Sequence, residues 1–360
     1  MIVYLAVAVF PLLMAQLYNL TYQRGKAQGV SIDKKQPGKW GYLFVAALPM
    51  FFLIGFRNQY IGPDTNEYIR NFQVLCDTPW NRIFDISRME DGYMLFVKII
   101  TIFTDSPLIY QVICATIYWI AITDFSSQLD DENFLFLFLF ATLGIYTFMF
   151  TGTRQNLAMC ICLLSFRFIK NRKIIPFAIL ITIAYFFHKS SILFISAYII
   201  YARKLNFLNV LIYVVIMVVC VMFLDFFQEW LNEQLEYEYE IEETEGGWVF
   251  SVLMVGITLY SLISLGMNGG FTKKNVGFFN VGIIATIFWI LRLFTRVAER
   301  PSYYFMPFAM AALAGAVACI QNKDEKRITK MVVIVVGLLL YAYRFYTALS
   351  PYVPYKFFVL

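Results

Sequence analysis

The residues of this sequence with the means to handle charge are few and spaced. Arg292, Arg296 and Arg300 recur every four residues in RLFTRVAERPSYYF. If the preceding helix runs on to Pro301, that spacing puts three guanidinium groups on one face at rises of about 6 Å. Stacked cations repel one another, and an anion of pyrophosphate reach set among them would relieve the repulsion. Glu299, three residues from Arg296, neutralises part of such a stripe, and Tyr303 and Tyr304 follow it. A second cation, Arg154, stands beside Gln155 in FMFTGTRQNLAM, where Gly152 permits a tight turn and a close approach of a ligand to the backbone.

Proton chemistry has its own candidates. His188, in IAYFFHKSSILF, is the only histidine in the chain. Its ordinary titration range suits a proton acceptor or a neutral hydrogen-bonding group, and a role in capping the turn with Ser190 and Ser191 fits the same spacing. One histidine rules out a multi-histidine metal site, and the cysteines form no paired C-x-x-C, so no metal or other cofactor is expected. The stretch RNQYIGPDTNEY, residues 57–68, brings Arg57, Asp64 and Glu67 together, with Arg70 just beyond and Glu90 and Asp91 further on. Asp64 follows the turn signal Gly62-Pro63 and suits a helix N-cap; the carboxylates also offer bases toward a hydroxyl.

These groups need elements to hold them, and the composition says of what kind. The 360 residues are 60% hydrophobic and only 15% charged, with a mean hydropathy of +0.66. That lies outside the soluble range and marks an integral membrane protein. Apolar stretches near 2–22, 40–56, 107–123, 133–150, 155–169, 174–187, 191–202, 207–224, 249–267, 276–291, 305–320 and 331–345 predict a single all-α, polytopic transmembrane bundle of about 12 spans. The first lacks the basic start and small-residue end of a cleaved signal and is expected to be retained. The short segment 93–104, with Lys98 inside it and acidic residues at both ends, predicts an interfacial or re-entrant helix within an outer loop 57–106.

With that segment not crossing, the loops 23–39, 170–173, 203–206, 268–275 and 321–330 share one side, which the positive-inside rule makes the cytoplasm. The acidic stretch 225–248 then lies outside, as do the loop 57–92 and both termini. Counted this way, the inner side with Arg167 holds twelve Lys and five Arg, and the outer side holds nine Arg and three Lys. Lysine suffices to orient a chain, whereas arginine grips phosphate bidentately and stays charged when partly desolvated. The outer face is therefore expected to hold a phosphate. Charges gathered at one side, with few at mid-span and no internal repeat, argue against a conduit.

Taken in order, RNQYIGPDTNEY (57–68), EDGYMLF (90–96), TRQNLAM (153–159), IAYFFHKSS (183–191) and RVAERPSYYF (296–305) resemble the EpsG/Wzy-type polysaccharide repeat-unit polymerases. One departure is GPDT, where a G-T-D-Y-like string is expected. The resemblance implies a multi-pass enzyme of the bacterial cytoplasmic membrane, with a fold logic like that of the GT-C glycosyltransferases and a site facing outside. It implies transfer of a growing glycan from a polyprenyl pyrophosphate, such as undecaprenyl pyrophosphate, to the non-reducing end of a lipid-linked repeat unit. The product would be a capsule, exopolysaccharide or O-antigen. Arg57, Arg154, Gln155, Arg292, Arg296 and Arg300 would bind the pyrophosphate, and Asp64, Glu67 or His188 would accept the proton in a metal-independent, inverting displacement. Arg70, Glu90, Asp91, Glu299, Tyr303 and Tyr304 are further outer-face candidates. Implied partners are lipid-linked oligosaccharide repeat units, membrane lipid, and the chain-length regulator and flippase of the same pathway, with no nucleic acid. The same residues fit an O-antigen ligase or another lipid-linked sugar transferase; a flippase or transporter is the alternative from another class.

Overall fold

A computed structural model of the chain describes residues 2–27, 37–129, 132–222, 247–347 and 352–358. The described residues form helices and one isolated antiparallel bridge between Arg57 and Phe357, as the all-α expectation requires. In chain order the helices are α1 (Ile2–Ala27), α2 (Pro37–Ala46), α3 (Leu48–Gly55), α4 (Thr65–Asp77), α5 (Asp91–Ile100), α6 (Pro107–Ser127), α7 (Asn133–Thr142), α8 (Ile145–Phe148), α9 (Thr153–Lys170), α10 (Ile174–Phe187), α11 (Ile195–Ile200) and α12 (Phe207–Met222). After the acidic segment come α13 (Trp248–Met267), α14 (Lys273–Leu291), α15 (Glu299–Ser302), α16 (Met306–Ala318) and α17 (Lys323–Thr347). Most of the basic loop 23–39, and all but Gly247 and Trp248 of the acidic loop 225–248, lie outside the described residues.

Among the described residues, five helices are long and apolar enough to cross a membrane: Val3–Arg24 within α1, and α6, α13, α14 and α17. The other expected spans are shorter, interrupted or charged, so these five do not by themselves account for the expected bundle of about 12 spans. The segment 40–56 breaks at Ala47, with Pro49 in the first turn of α3. The segment 133–150 breaks at Gly144, whose φ of +96° ends α7 and admits a new turn, α8. The segment 191–202 begins as a 3-10 turn, Lys189–Phe194, before α11. Helix α9 reaches 18 residues but carries Arg154, Arg167 and Lys170. The segment expected not to cross forms α5, ten residues and therefore about 15 Å long, half the thickness of a hydrocarbon layer.

The chain divides into two compact units. The first comprises Met1–Arg167, Ile179–His188 and Ile328–Leu360; the second comprises Phe168–Ala178 and Lys189–Arg327. In the first, every residue of α7 is buried, and α1, α2 and α6 pack around it. A helix that is apolar on all sides, such as NFLFLFLFAT, has no polar face to give to water and belongs inside. Helices α2 and α6 are tied by Trp119, which stacks on Phe44 at 3.6 Å and donates its Nε1–H to the Phe44 carbonyl at 2.8 Å. Tyr4 of α1 packs on Phe345 of α17 and on Phe150, and its hydroxyl donates to the Tyr352 carbonyl.

In the second unit α13, α14 and α16 pack against one another. The small residues of α16, MPFAMAALAGAVA, let backbones approach closely. A Cβ on Gly282 of α14 would stand 2.7 Å from the Cα of Ala309, so only glycine fits there. Ser251 of α13 and Ser264 add hydroxyl bonds to the carbonyls of Trp289 and Ala316.

Candidate functional site

The first unit gathers charge where three helix ends meet. Arg154 sits in the first turn of α9, Glu90 immediately precedes α5, and His188 immediately follows α10. Glu90 bridges the other two. One carboxylate oxygen, Oε2, takes an Nη1–H of Arg154 in an ion pair. The other, Oε1, lies 2.8 Å from Nδ1 of His188. All three side chains are largely withdrawn from solvent, with 14% of Arg154, 7% of Glu90 and 8% of His188 exposed.

Several local features bring them there. Gly92, in the first turn of α5, has no room for a side chain: a Cβ would lie 2.7 Å from the carbonyl oxygen of Phe186, near the end of α10. That close approach sets Glu90 beside His188. Gly62, at φ +93°, turns the chain against the Phe150 carbonyl. Asp64 then stands at the N-cap of α4, yet its side chain makes no cap bond to that helix. Its Oδ2 instead accepts the backbone N–H of Gly152 at 3.0 Å, fixing the turn that presents Arg154. Tyr68 of α4 reaches the same arginine, with Arg154 Nε donating to its hydroxyl over 3.5 Å.

Electrostatics follow from this arrangement. Burial alone would raise the Glu90 carboxyl, but the hydrogen bond from His188, with the charges of Arg154 and His188, brings it down from 4.5 to about 2. Glu90 is therefore a carboxylate at neutral pH and accepts from both neighbours. A carboxylate at Oε1 requires His188 to donate from Nδ1, and a neutral imidazole in that tautomer keeps its lone pair on Nε2. Burial raises the Tyr68 phenol despite the nearby Arg154, so Tyr68 remains a neutral hydroxyl.

The remaining expected residues of this unit are spread around the trio. Glu67 and Arg70 on α4 and Asp91 on α5 face outward and exposed, whereas Gln155 is buried on α9. Arg57 is buried, with 5% of its surface exposed. Its Nε donates to Thr65 Oγ1 at 3.2 Å and its Nη1 to the Ile54 carbonyl, and its guanidinium lies 5.6 Å from the centre of the Phe150 ring.

In the second unit the arginines do not form a stripe. Helix α14 ends at Leu291, and a turn, the 3-10 segment Arg296–Ala298 and the short α15 follow, so the i, i+4, i+8 geometry of a continuous helix is absent. Arg292 is buried, whereas Arg296 and Arg300 are exposed. Glu299 pairs with Arg292, accepting from its Nε at 3.1 Å, and also accepts the Tyr303 hydroxyl at 2.8 Å. Tyr304, buried, lies within hydrogen-bond distance of Ser190, at 3.2 Å between hydroxyl oxygens.

A family model described as the EpsG family matches residues 40–357. The chain belongs to the EpsG family. This is the EpsG/Wzy-type polysaccharide polymerase family, and the apolar helices agree with a multi-pass membrane protein of that type. No curated protein and no solved structure matches the chain. The match covers the Glu90–Arg154–His188 trio and the Arg292–Glu299–Tyr303 cluster alike.

Some residues of this EpsG-family chain escape sequence reasoning. Tyr68 closes the string RNQYIGPDTNEY but offers only a hydroxyl, and Gly92 matters through the side chain it lacks. Gln111 is a lone amide in the apolar run PLIYQVICATIYW of α6. A polar residue inside a span is itself the signal that could have found it.

Proposed function

We infer that the protein is a membrane glycosyltransferase that extends polysaccharide. It moves a growing glycan from a polyprenyl pyrophosphate to the non-reducing sugar hydroxyl of a lipid-linked repeat unit, at the outer face of the bacterial cytoplasmic membrane. Family membership supports the reaction class, and the single observation that supports the chemistry is Glu90 holding both His188 and Arg154. In this reading His188 is the catalytic base. Its Nε2 takes the proton of the acceptor hydroxyl as the oxygen attacks the anomeric carbon, and the bond from that carbon to the pyrophosphate oxygen breaks with its electron pair leaving on the pyrophosphate. Direct attack inverts the anomeric centre, and no metal takes part.

Glu90 is a positioning residue: it selects the tautomer of His188 and stabilises the imidazolium that forms. Arg154 holds Glu90 in place and adds positive charge on the side of the departing anion. Asp64 serves the turn at Gly152 and Glu67 is exposed, so neither is favoured as the base over His188. In the second unit Arg296 and Arg300 are exposed, while Arg292 is buried and engaged by Glu299.

The test is purified protein given a lipid pyrophosphate oligosaccharide in the presence of chelator, with chain length read on gels. Longer chains from the wild type, and loss of them in His188→Ala, support the reading. Chain growth that persists in His188→Ala removes the assigned base, and no growth in the wild type removes the reaction. Substrate already on the outer side of proteoliposomes separates polymerase from transporter, since a transporter gives no longer chains. In a deletion strain, loss of length with one repeat still attached indicates a polymerase, and loss of all attachment indicates a ligase.

A further inference from the structure

The end of α3 is closed by a stretch of chain that follows α17, wholly within the first unit. The last carbonyls of a helix have no partner inside it and, when buried, need one from elsewhere. Leu53, Ile54 and Gly55 at this end are all buried. The Tyr355 hydroxyl donates to the Leu53 carbonyl at 2.9 Å, and Arg57 Nη1 serves the Ile54 carbonyl. Just beyond the helix, the Phe358 N–H donates to the Phe56 carbonyl at 2.8 Å and the Asn58 N–H to the Lys356 carbonyl at 2.9 Å, flanking the Arg57–Phe357 bridge. At its other end the same strap, residues 352–358, takes the Tyr4 hydroxyl on the Tyr352 carbonyl, and the Tyr352 ring meets the Phe150 ring edge-on, with centres 6.0 Å apart.

The strap therefore touches both halves of the body that presents Arg154. Arg57 Nε donates to Thr65 Oγ1, which itself lies 3.2 Å from the Phe150 carbonyl. Gly62 sits so close to that carbonyl that a Cβ has no room, and Asp64 holds the Gly152 N–H. Residues 56–65 and the turn at Gly152 are thus packed as one piece, and Arg154 leaves that turn to meet Glu90. One bridge and one hydroxyl bond are small beside the burial that packs the bundle, so their loss loosens the turn locally and leaves the helices in place.

We propose that Tyr355 and the backbone of Lys356–Phe358 are positioning groups for the reaction, holding the loop and turn from which Arg154 reaches Glu90. The strap touches no reacting atom; it acts through Arg154 and Glu90 on the orientation of His188. The proposal rests on the proposed function for the reaction it serves, and on the geometry alone for the link between strap and imidazole.

The experiment uses the full chain, purified by a tag without histidine and carrying nitrogen-labelled histidine for magnetic resonance. His188 is the only histidine, so its Nδ1 signal reports the bond to Glu90 free of overlap. Phe358→Pro deletes the N–H given to Phe56 while favouring an extended residue before it. Tyr355→Phe deletes the hydroxyl and keeps the ring, and Phe358→Leu keeps every bond of the strap as a control. Phe358→Pro is expected to move the Nδ1 signal toward that of an imidazole in water and to speed hydrogen exchange across the turn at Gly152. It should also lower kcat for chain growth about 10²-fold with KM near the wild-type value, as a misplaced catalytic group does. Tyr355→Phe should act in the same direction by about tenfold, and Phe358→Leu should match the wild type. Wild-type signal, exchange and kcat in both Phe358→Pro and Tyr355→Phe overturn the proposal even if Tm falls, because the strap then serves the fold alone. So does a Phe358→Leu protein as impaired as Phe358→Pro, since the backbone bond is then not the cause. If Phe358→Pro fails to fold, Tyr355→Phe decides on the same readouts. Signal and exchange need no substrate: a wild type that makes no polymer fails the proposed function while these two still judge the strap. Growth lost in His188→Ala but intact in the strap variants fails the strap and keeps the proposed function.

Discussion

Glu90 Oε1 lies 2.8 Å from His188 Nδ1 across 98 residues of sequence. The same carboxylate holds Arg154, 64 residues away. One ionised group thus sets the orientation of both an imidazole and a guanidinium.

Replacing Glu90 by Gln keeps the size of the side chain and loses its charge. The chain-growth rate is expected to fall about 10²-fold or more, the scale of a misoriented general base. The pH profile distinguishes orientation from mere damage: the limb belonging to His188 should move to lower pH, because the imidazolium loses its carboxylate partner. An unmoved limb with a lowered rate would assign Glu90 a structural role only.

Gly92→Ala should separate α5 from the end of α10, since the new methyl meets the Phe186 carbonyl at 2.7–2.8 Å and its Cβ at 2.6 Å. Overpacking of this kind costs about 1–3 kcal/mol. Lower Tm together with reduced chain growth is expected, and wild-type values for both would show that the contact is not needed.

Asp64→Ala leaves the Gly152 N–H without its acceptor, at a cost of about 1 kcal/mol for a bond at a half-exposed site. Asp64→Asn retains an acceptor oxygen and should lose less. Thermal unfolding of the two variants side by side gives the order, and equal Tm values would detach Asp64 from the turn.

The Glu90 carboxyl at about 2, against 4.5 in its ordinary state, makes stability depend on pH. The unfolded chain binds the proton more readily, so the contribution of Glu90 is complete above about 4.5 and fades as pH falls toward 2. Thermal unfolding between pH 6 and pH 3 should show a decline that is shallower in Glu90→Gln. Parallel declines would place the acid sensitivity elsewhere.

The membrane character and the helices were legible from hydropathy, because crossing a bilayer leaves a long, strong signal. Where helices break was less so. Gly144 sits in a run of apolar residues that hydropathy reads as continuous, and only its positive φ reveals the turn between α7 and α8. The charged residues of the first unit were found by type, yet their partners were not. Asp64 has the sequence of a cap and serves a backbone N–H 88 residues away. Glu299 is three residues from Arg296 but pairs with Arg292, since α14 stops before a continuous arginine face can form. Spacing reports neighbours along one helix, whereas these pairs are made by chain reversals that no local pattern encodes.

The short α5 has a consequence for how the protein is made. Insertion machinery sorts segments by their greasiness, and the five long apolar helices satisfy it without any help from α5. A molecule in which α5 fails to dock would therefore be delivered to the bilayer, escape notice there, and remain silent. The quantity of protein in a membrane and the fraction able to work are set by different stretches of the chain.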